Sequence, residues 1–170
     1  RDTYPRAALV ALLEQTGLAW QFSDECDLES DPLDPDGIRQ LDGIVDLYRS
    51  GQITNARKTI HPGQSAFTFG LGRKSLYDTV HRNRDFLSLD VDQTNLPHLI
   101  MQNDRVVSIN NTTSIDLTGQ AASESDGHRH ISGTGGQAQF VRGAYASKGG
   151  KSFVCLASTY ERKGQRKSRI

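Results

Sequence analysis

The chain has 170 residues, with 20 basic and 20 acidic side chains, a formal net charge of zero and an apolar fraction typical of globular domains. This balance argues against a dedicated nucleic-acid binder or a polybasic membrane anchor, because both need an excess of Lys and Arg. The two cysteines, Cys26 and Cys155, lack zinc-like spacing, so we expect a cytoplasmic protein with no disulfide framework and no membrane segment.

Residues 1–36 are predicted to form an N-terminal helix and an acidic linker. Strong helix formers over Arg6–Thr16, followed by Gly17 in the capping position, favour the helix. Leu18–Phe22 is a candidate short strand. The stretch 24–36 is rich in Asp and Glu, has no Lys or Arg and contains two prolines, which is typical of a solvated connection.

Residues 37–170 are predicted to alternate helices and strands. Apolar residues at helical spacing indicate helices over Gly37–Ser50 and Lys74–Val80, and Gln137–Ser147 is a third candidate helix. Apolar runs of strand length predict the strands Ser65–Gly70, Phe86–Val91, Arg105–Asn110, Ser114–Gly119 and Ser152–Ala157, the last one buried. This order indicates a single α/β domain with a parallel or mixed sheet flanked by helices.

A glycine-rich turn stands directly before the third predicted helix. It reads Ser132-Gly133-Thr134-Gly135-Gly136. Glycines at this place let backbone N–H groups approach a ligand closely and point at an anion. A tight connection without a ligand explains the same pattern, so the turn alone does not establish a site.

A series of short motifs surrounds this turn in a fixed order. They are Ser50-Gly51-Gln52-Ile53-Thr54-Asn55, His61-Pro62-Gly63, Val91-Asp92-Gln93-Thr94-Asn95, Gln102-Asn103-Asp104, Ser108-Ile109-Asn110, Ile115-Asp116-Leu117-Thr118-Gly119-Gln120, the 132–144 block and Ser147-Lys148-Gly149-Gly150-Lys151. In these motifs, from Leu41 to Ile170, the chain resembles the acetyl-CoA hydrolase/transferase family. The resemblance implies the C-terminal, CoA-transferase-like domain of that family.

The resemblance also implies an activity and a site. Family members move CoA from an acyl-CoA to a small carboxylate, or to water, through a glutamyl-CoA thioester. Asn95 and the backbone N–H of Gly136 would stabilise the oxyanion that forms at each step, although an Asx-turn before Pro97 is the structural alternative for Asn95. The expected contacts to the acyl or CoA moiety are Asn110, Ser132, Gly133, Gly135, Lys148 and Lys163. No metal is expected, since the alternating His128 and His130 lack a third ligand.

The nucleophilic glutamate of the family has no counterpart at the matching place. Family members carry it five residues before the Gly of an Asp-Gly pair, and counting back from Gly43 gives Ile38. The loop has lost the acid, or Glu25 or Glu29 serves from the acidic run, or residues are missing. Gln139, where the family usually has Asp, removes a further charge beside the turn.

Two further expectations and two alternatives complete the sequence analysis. Because the chain lacks an initiator Met and 168–170 looks like the opening of another strand, both termini are expected to be cuts. An N-terminal lobe is then the missing partner, and a homo-oligomer is possible because family members commonly assemble. One alternative is a noncatalytic binding or assembly module. The other, nucleic-acid contact through the basic tail 162–169, predicts salt-sensitive binding.

Overall fold

The computed structural model describes residues 22–23, 43–68, 70, 73–125 and 128–170. The elements in chain order are β1 (Phe22–Ser23), α1 (43–49), β2 (Ser65–Phe67), α2 (Lys74–Val80), β3 (Phe86–Ser88), α3 (Val91–Thr94), α4 (Pro97–Ile100), β4 (Val107–Asn111), β5 (Ser114–Ile115), β6 (Ala121–Ala122), α5 (Gln137–Ala146), β7 (Lys151–Cys155), β8 (Thr159–Arg162) and β9 (Gln165–Ser168). The predicted helix Arg6–Thr16, the acidic linker and most of the predicted strand Leu18–Phe22 lie outside the described residues.

A three-stranded parallel sheet with the order β1-β4-β7 forms the centre of the fold. In its register Ile109 of β4 lies opposite Phe22 on one side and Phe153 on the other. Parallel neighbours need a crossover connection, and the segment between β4 and β7 provides it through α5. Parallel pairing therefore places the start of α5 at the edge where β4 ends.

A second parallel pair, β2 and β3, is joined by α2 in the same way. Tyr48 of α1 packs edge-on against Phe86 of β3, with 4.9 Å between ring centroids. The Tyr48 hydroxyl donates to Oδ2 of Asp85 at 2.7 Å, and Asn83 Nδ2 donates to that hydroxyl at 3.1 Å. These contacts fix α1 to the start of β3.

Two antiparallel pairs, β5–β6 and β8–β9, complete the described strands. Lys163 and Gly164 at the β8–β9 turn both have positive φ, 51° and 72°. Positive φ at both central residues defines a type I′ turn, whose twist matches that of the strands it joins. Arg169 stacks over the Tyr160 ring at 4.8 Å and so covers part of this hairpin.

The main hydrophobic cluster lies between α4, α5 and the start of β4. It consists of Ile100, Val106, Phe140 and Ala144. Gly143 lets the two helices approach, since a Cβ at that position would lie 2.5 Å from Cβ of Ile100. The cluster sits directly beneath the glycine-rich turn because Phe140 belongs to the first turn of α5.

The predicted α/β class is confirmed, and three predicted helices are present. α2 and α5 match their predicted ranges closely, and α1 matches in the part of Gly37–Ser50 that is described. Helical periodicity predicts these elements because one face of each contacts the core: Val45 in α1, Leu76 in α2 and Phe140 in α5 are buried. Leu47 in α1 is buried as well, but it lies two residues from Val45 and therefore off that face.

The predicted strands differ more from the structure. Phe86–Val91 ends at Ser88, because Asp90 caps a short helix that begins at Val91, and Ser65–Gly70 ends at Phe67. Ser114–Gly119 stops at Ile115, where Asp116 Oδ1 accepts hydrogen bonds from the N–H groups of Thr118 and Gln120 and forms a turn. Arg105–Asn110 begins two residues later than predicted, at Val107.

A strand is present near the predicted range Ser152–Ala157, but the prediction that this strand is buried is wrong. The strand runs over Lys151–Cys155 and lies at the edge of the described sheet, with Phe153 38% exposed. Its apolar run is the signature of a buried strand, but no further strand covers it among the described residues. Ser168, where another strand was expected to open, is the last residue of β9, and residues 169–170 follow that strand.

Candidate active site

The side chain of Asn95 and the backbone of Gly136 meet at one corner of the fold. A Cβ placed on Gly136 would lie 2.7 Å from Nδ2 of Asn95 and 3.5 Å from Cδ2 of Phe140. Both residues are buried. Any side chain at position 136 would require the Asn95 amide to move, so glycine allows this close approach.

Gly136 also supplies the start of a helix. Its carbonyl accepts the N–H of Phe140 at 3.0 Å, whereas no acceptor in the described part of the chain takes its own N–H. No side chain caps α5. The first N–H groups of a helix have no partner within it, and the helix dipole favours negative charge at this end. The corner therefore combines an Asn amide with backbone donors.

Two threonines determine how the Asn95 amide is turned. Oγ1 of Thr94 donates to Oδ1 of Asn95 at 2.8 Å, and Oγ1 of Thr68 lies 2.5 Å from Oγ1 of Thr94. Since a hydroxyl has one proton, Thr68 donates to Thr94 when Thr94 donates to Asn95. We call this pair of contacts the threonine relay. It engages the amide oxygen and leaves the Nδ2 end toward Gly136.

The other residues that the motifs predict are Asn110, near the carboxyl end of β4, and the residues of the glycine-rich turn before α5. Asn110 is buried at the end of β4, and its Nδ2 donates to Oγ of Ser108 at 2.6 Å. Ser132 Oγ bonds the carbonyl of Gly133 at 3.0 Å, and Gly135 has a φ of 55° that favours glycine. Gly133 and Gly135 are exposed, so a ligand can reach the turn.

The two predicted lysines lie elsewhere. Lys148 follows the C-terminal end of α5, which is about 15 Å from Gly136 at 1.5 Å per residue over 10 residues. Lys163 is exposed in the β8–β9 turn. Neither lysine is brought into the corner, and their contacts with CoA phosphates stay predictions.

Other residues of the shared motifs connect elements of the fold by hydrogen bonds and do not belong to the corner. Asn103 is buried, and its Oδ1 accepts the N–H groups of Thr59 and Ile60 at 3.0 and 3.2 Å. The Ser147 hydroxyl donates to the carbonyl of Asn103 at 2.6 Å and accepts the N–H of Val106 at 3.1 Å. These bonds tie the loop before β2 and the end of α5 to the start of β4.

Sequence reasoning missed the threonine relay and Lys58. Thr94 stands next to Asn95 in the sequence, which was a usable signal, whereas Thr68 is distant and only the fold brings it close. Burial lowers the pKa of the Lys58 ammonium to about 8. Burial raises the pKa of the Cys155 thiol, which leaves it protonated and poorly suited as a substitute nucleophile.

The described residues contain neither a group of side chains that could hold a metal ion nor a helix that could span a membrane. No three His, Cys, Asp or Glu side chains converge there in a way that could hold a metal ion. Each described helix is also too short or too polar to cross a bilayer. The segment 24–42, which contains Glu25, Glu29 and Ile38, lies outside the described residues.

Comparison with known proteins gives a consistent set of relatives. The model of the acetyl-CoA hydrolase/transferase C-terminal domain matches residues 72–170. The chain is 52% identical over 118 residues to a succinyl-CoA:cyclohexane-1-carboxylate CoA transferase of Geobacter metallireducens, covering 69% of this chain and 27% of that protein. It is 48% identical over 118 residues to the 4-hydroxybutyrate coenzyme A transferase of Clostridium kluyveri, covering 69% of this chain and 28% of that protein.

A solved structure matches the whole chain. The crystal structure of RipA from Yersinia pestis superposes with a TM-score of 0.78 at 38% sequence identity, covering 100% of this chain and 41% of RipA. The chain thus spans less than a third of the length of these curated relatives and less than half of the solved one.

Proposed function

The chain belongs to the acetyl-CoA hydrolase/transferase family, and from this premise we propose that it forms part of an enzyme that transfers CoA from an acyl-CoA to a small carboxylate. The observation that carries the proposal is the contact between the Asn95 amide and the Gly136 backbone. Curated relatives that match this chain at 48% and 52% identity are CoA transferases.

The corner supplies hydrogen-bond donors where negative charge develops. When a glutamate attacks the acyl-CoA carbonyl carbon, the C–S bond breaks, CoA leaves as a thiolate and an acyl-glutamyl anhydride forms. The thiolate then attacks the glutamyl carbonyl and releases the first carboxylate, leaving glutamyl-CoA. A second carboxylate reverses these steps, and water in its place gives hydrolysis. In our proposal Asn95 Nδ2 and the N–H of Gly136 stabilise the oxyanion of these steps.

The same proposal includes the wider setting of the reaction. We place Asn110, Ser132, Gly133 and Gly135 at the acyl or CoA moiety, and Lys148 and Lys163 near the CoA phosphates. An N-terminal lobe, which completes the active site, accounts for the part of the relatives that this chain does not span. Cytoplasmic location and a homo-oligomeric assembly belong to the proposal as well.

The decisive test uses the intact protein and acetyl-CoA. We expect exchange of acetate, and mass spectrometry should detect CoA covalently bound to a glutamate, with Glu25 and Glu29 the first candidates. Asn95→Ala should lower kcat about 10²–10³-fold, because one oxyanion donor is lost. Asn111→Ala, which truncates an exposed Asn at the end of β4, is the matched control and should leave kcat unchanged.

Three results would speak against this function. Equal kcat for Asn95→Ala and the unsubstituted protein would remove Asn95 from the reaction. Absence of both exchange and CoA binding would reject the enzyme altogether. CoA binding without exchange or an adduct would identify a noncatalytic module instead.

A further inference from the structure

A small cavity lies beneath the loop that joins α1 to β2. Its volume is about 60 Å³, and its apolar walls include Ile60, Leu99 and Phe140. Lys58, His61, Gln93 and Thr94 supply polar groups to the lining. Thr94 belongs to the threonine relay and Phe140 contacts the Gly136 position, so the cavity adjoins the Asn95–Gly136 corner.

Lys58 is the one Lys or Arg side chain of this lining. It is half-buried, and its Nζ donates to the carbonyl of Gln64 at 2.6 Å. No carboxylate in the described part of the chain forms an ion pair with it. Buried ammonium groups are normally paired with an anion, because an unpaired charge loses its hydration without compensation. With two N–H groups remaining, Lys58 is suited to bind an external anion.

The loop around Lys58 is held in a defined conformation. Asn55 and His61 both adopt left-handed backbone conformations, with φ of 53° and 52°. The carbonyl of Asn55 accepts the N–H of Gly63 at 2.9 Å, and its Nδ2 donates to Ser65 Oγ at 2.7 Å. Asn and His are among the non-glycine residues that adopt this conformation most readily, so the two residues suit the turns of this loop.

We propose that this cavity is a carboxylate subsite in which the Lys58 ammonium binds the carboxylate of a short-chain acid and the apolar walls receive its alkyl part. A single water needs about 10–15 Å³ of such space, so a cavity of about 60 Å³ holds about four to six water-sized groups, a range that includes the size of acetate or propionate. The inference rests on the proposed function in one respect, because it takes the acid bound in the cavity to be the carboxylate substrate of the CoA transfer at the adjoining Asn95–Gly136 corner.

The binding test uses the chain itself and needs no CoA. Acetate, propionate and hexanoate are titrated in turn at pH 7 while the Lys58 side chain is followed by NMR. We expect saturable shifts with acetate and propionate but not with hexanoate, which exceeds the cavity. Saturation with acetate should raise the pKa of Lys58, because a bound anion favours the charged amine. Affinity should fall as the pH rises above 8, where the ammonium loses its proton.

Substitutions separate the charge of Lys58 from other effects. Lys58→Met should weaken acetate binding by about tenfold or more, since a charge-assisted contact is lost, while Lys58→Arg should keep most of it. Lys74→Met is the matched control, because Lys74 is exposed and pairs with Asp78 within α2. His61→Gln measures the contribution to acetate binding of His61, the other ionisable side chain in the described lining of the cavity.

In the intact protein, Lys58→Met should raise KM for the carboxylate about tenfold and leave KM for acyl-CoA within about twofold. Failure of the proposed function would appear as absent exchange, while the acetate titration would still report on the cavity. Equal acetate affinity with and without Lys58 would overturn the inference, as would tighter binding of inorganic phosphate than of acetate. The inference would also be overturned if the unsubstituted chain bound no acetate and Lys58→Met lowered its stability. That result would mean that the Lys58 ammonium pairs with a carboxylate of the protein itself.

Discussion

At the candidate corner, two threonine hydroxyl groups hold the side-chain amide of Asn95. The proposed reaction depends on the orientation of this amide. Thr94 donates to the amide oxygen of Asn95. Thr68, the residue directly after β2, forms a hydrogen bond with the Thr94 hydroxyl through its own hydroxyl. An unrestrained asparagine amide can rotate by about 180°, which exchanges the positions of its acceptor Oδ1 and its donor Nδ2. The threonine relay stabilises the orientation in which Oδ1 accepts the hydrogen bond from Thr94 and Nδ2 faces Gly136.

Substitution of Thr94 tests the relay. Thr94→Val keeps the shape but removes the hydroxyl, so we expect kcat of the exchange reaction to fall about ten- to hundredfold, less than for loss of Asn95 itself. Thr94→Ser should restore most of the rate, because serine supplies the same donor. The measurement is steady-state exchange with acetyl-CoA, and equal kcat for the Val and Ser variants would contradict this account.

Burial of Lys58 predicts a dependence of stability on pH. The folded chain releases the Lys58 proton near pH 8, whereas the unfolded chain keeps it to about 10.5. Between these values the unfolded state binds more protons, so the free energy of unfolding rises with pH, and below 8 the cost of burying the charge is constant.

Urea denaturation between pH 7 and pH 10 measures this effect. The rise should be smaller in Lys58→Met than in the unsubstituted chain, and the Lys74→Met control should retain it. Parallel profiles for Lys58→Met and the unsubstituted chain would show that Lys58 titrates alike in both states.

At the level of elements, the close approach of α4 and α5 supports both the core and the corner. α5 carries Gly136 at one end and packs against Ile100 through Gly143. α4 continues directly from the segment that holds Asn95. The relative position of these two helices therefore sets the distance between the two groups of the corner.

Gly143→Ala tests this packing. The added methyl group would overlap Cβ and Cγ2 of Ile100, and overpacking of this kind typically costs about 1–3 kcal/mol. We expect a lower free energy of unfolding in urea and a lower kcat, because α5 must move away from α4. Gly43→Ala in α1 meets no atom within 4 Å and should leave stability equal or slightly higher. Equal losses for the two variants would refute the packing argument.

Elements with a strong period were predictable, and short ones were not. α2 and α5 present one apolar face to the core, and that pattern is visible in the sequence. α3 and α4 span four residues each, too few to establish a period, and Val91 looked like the end of a strand. The β8–β9 hairpin was missed because its strands are polar, and only the turn residues Lys163 and Gly164 signal it.

At the scale of the whole molecule, the sequence predicts the two groups of the candidate corner but not the residues that support them. Asn95 and Gly136 are predictable together because motifs of a known family contain them, and the fold places the Asn95 amide next to Gly136. Thr68 and Lys58 are not predictable in this way, since their importance depends on burial and on neighbours distant in sequence. Lys148 shows the converse, because its motif is adjacent to the turn in sequence while α5 separates them in space.

The short span of the chain predicts weak binding of CoA. Sites for ligands of drug size or larger occupy about 300–1,000 Å³, far more than the cavity of about 60 Å³ described above. We expect calorimetry to give a CoA affinity at least about tenfold weaker for this chain than for the intact protein, because the remaining contacts would come from the other lobe. Equal affinities would mean that this chain contains the whole CoA site.

The crossover between β4 and β7 also constrains when the corner can exist during synthesis. Gly136 lies within this crossover, so it leaves the ribosome well after Asn95 and after β4. A nascent chain that stops before residue 136 therefore carries the asparagine without the glycine that completes the corner.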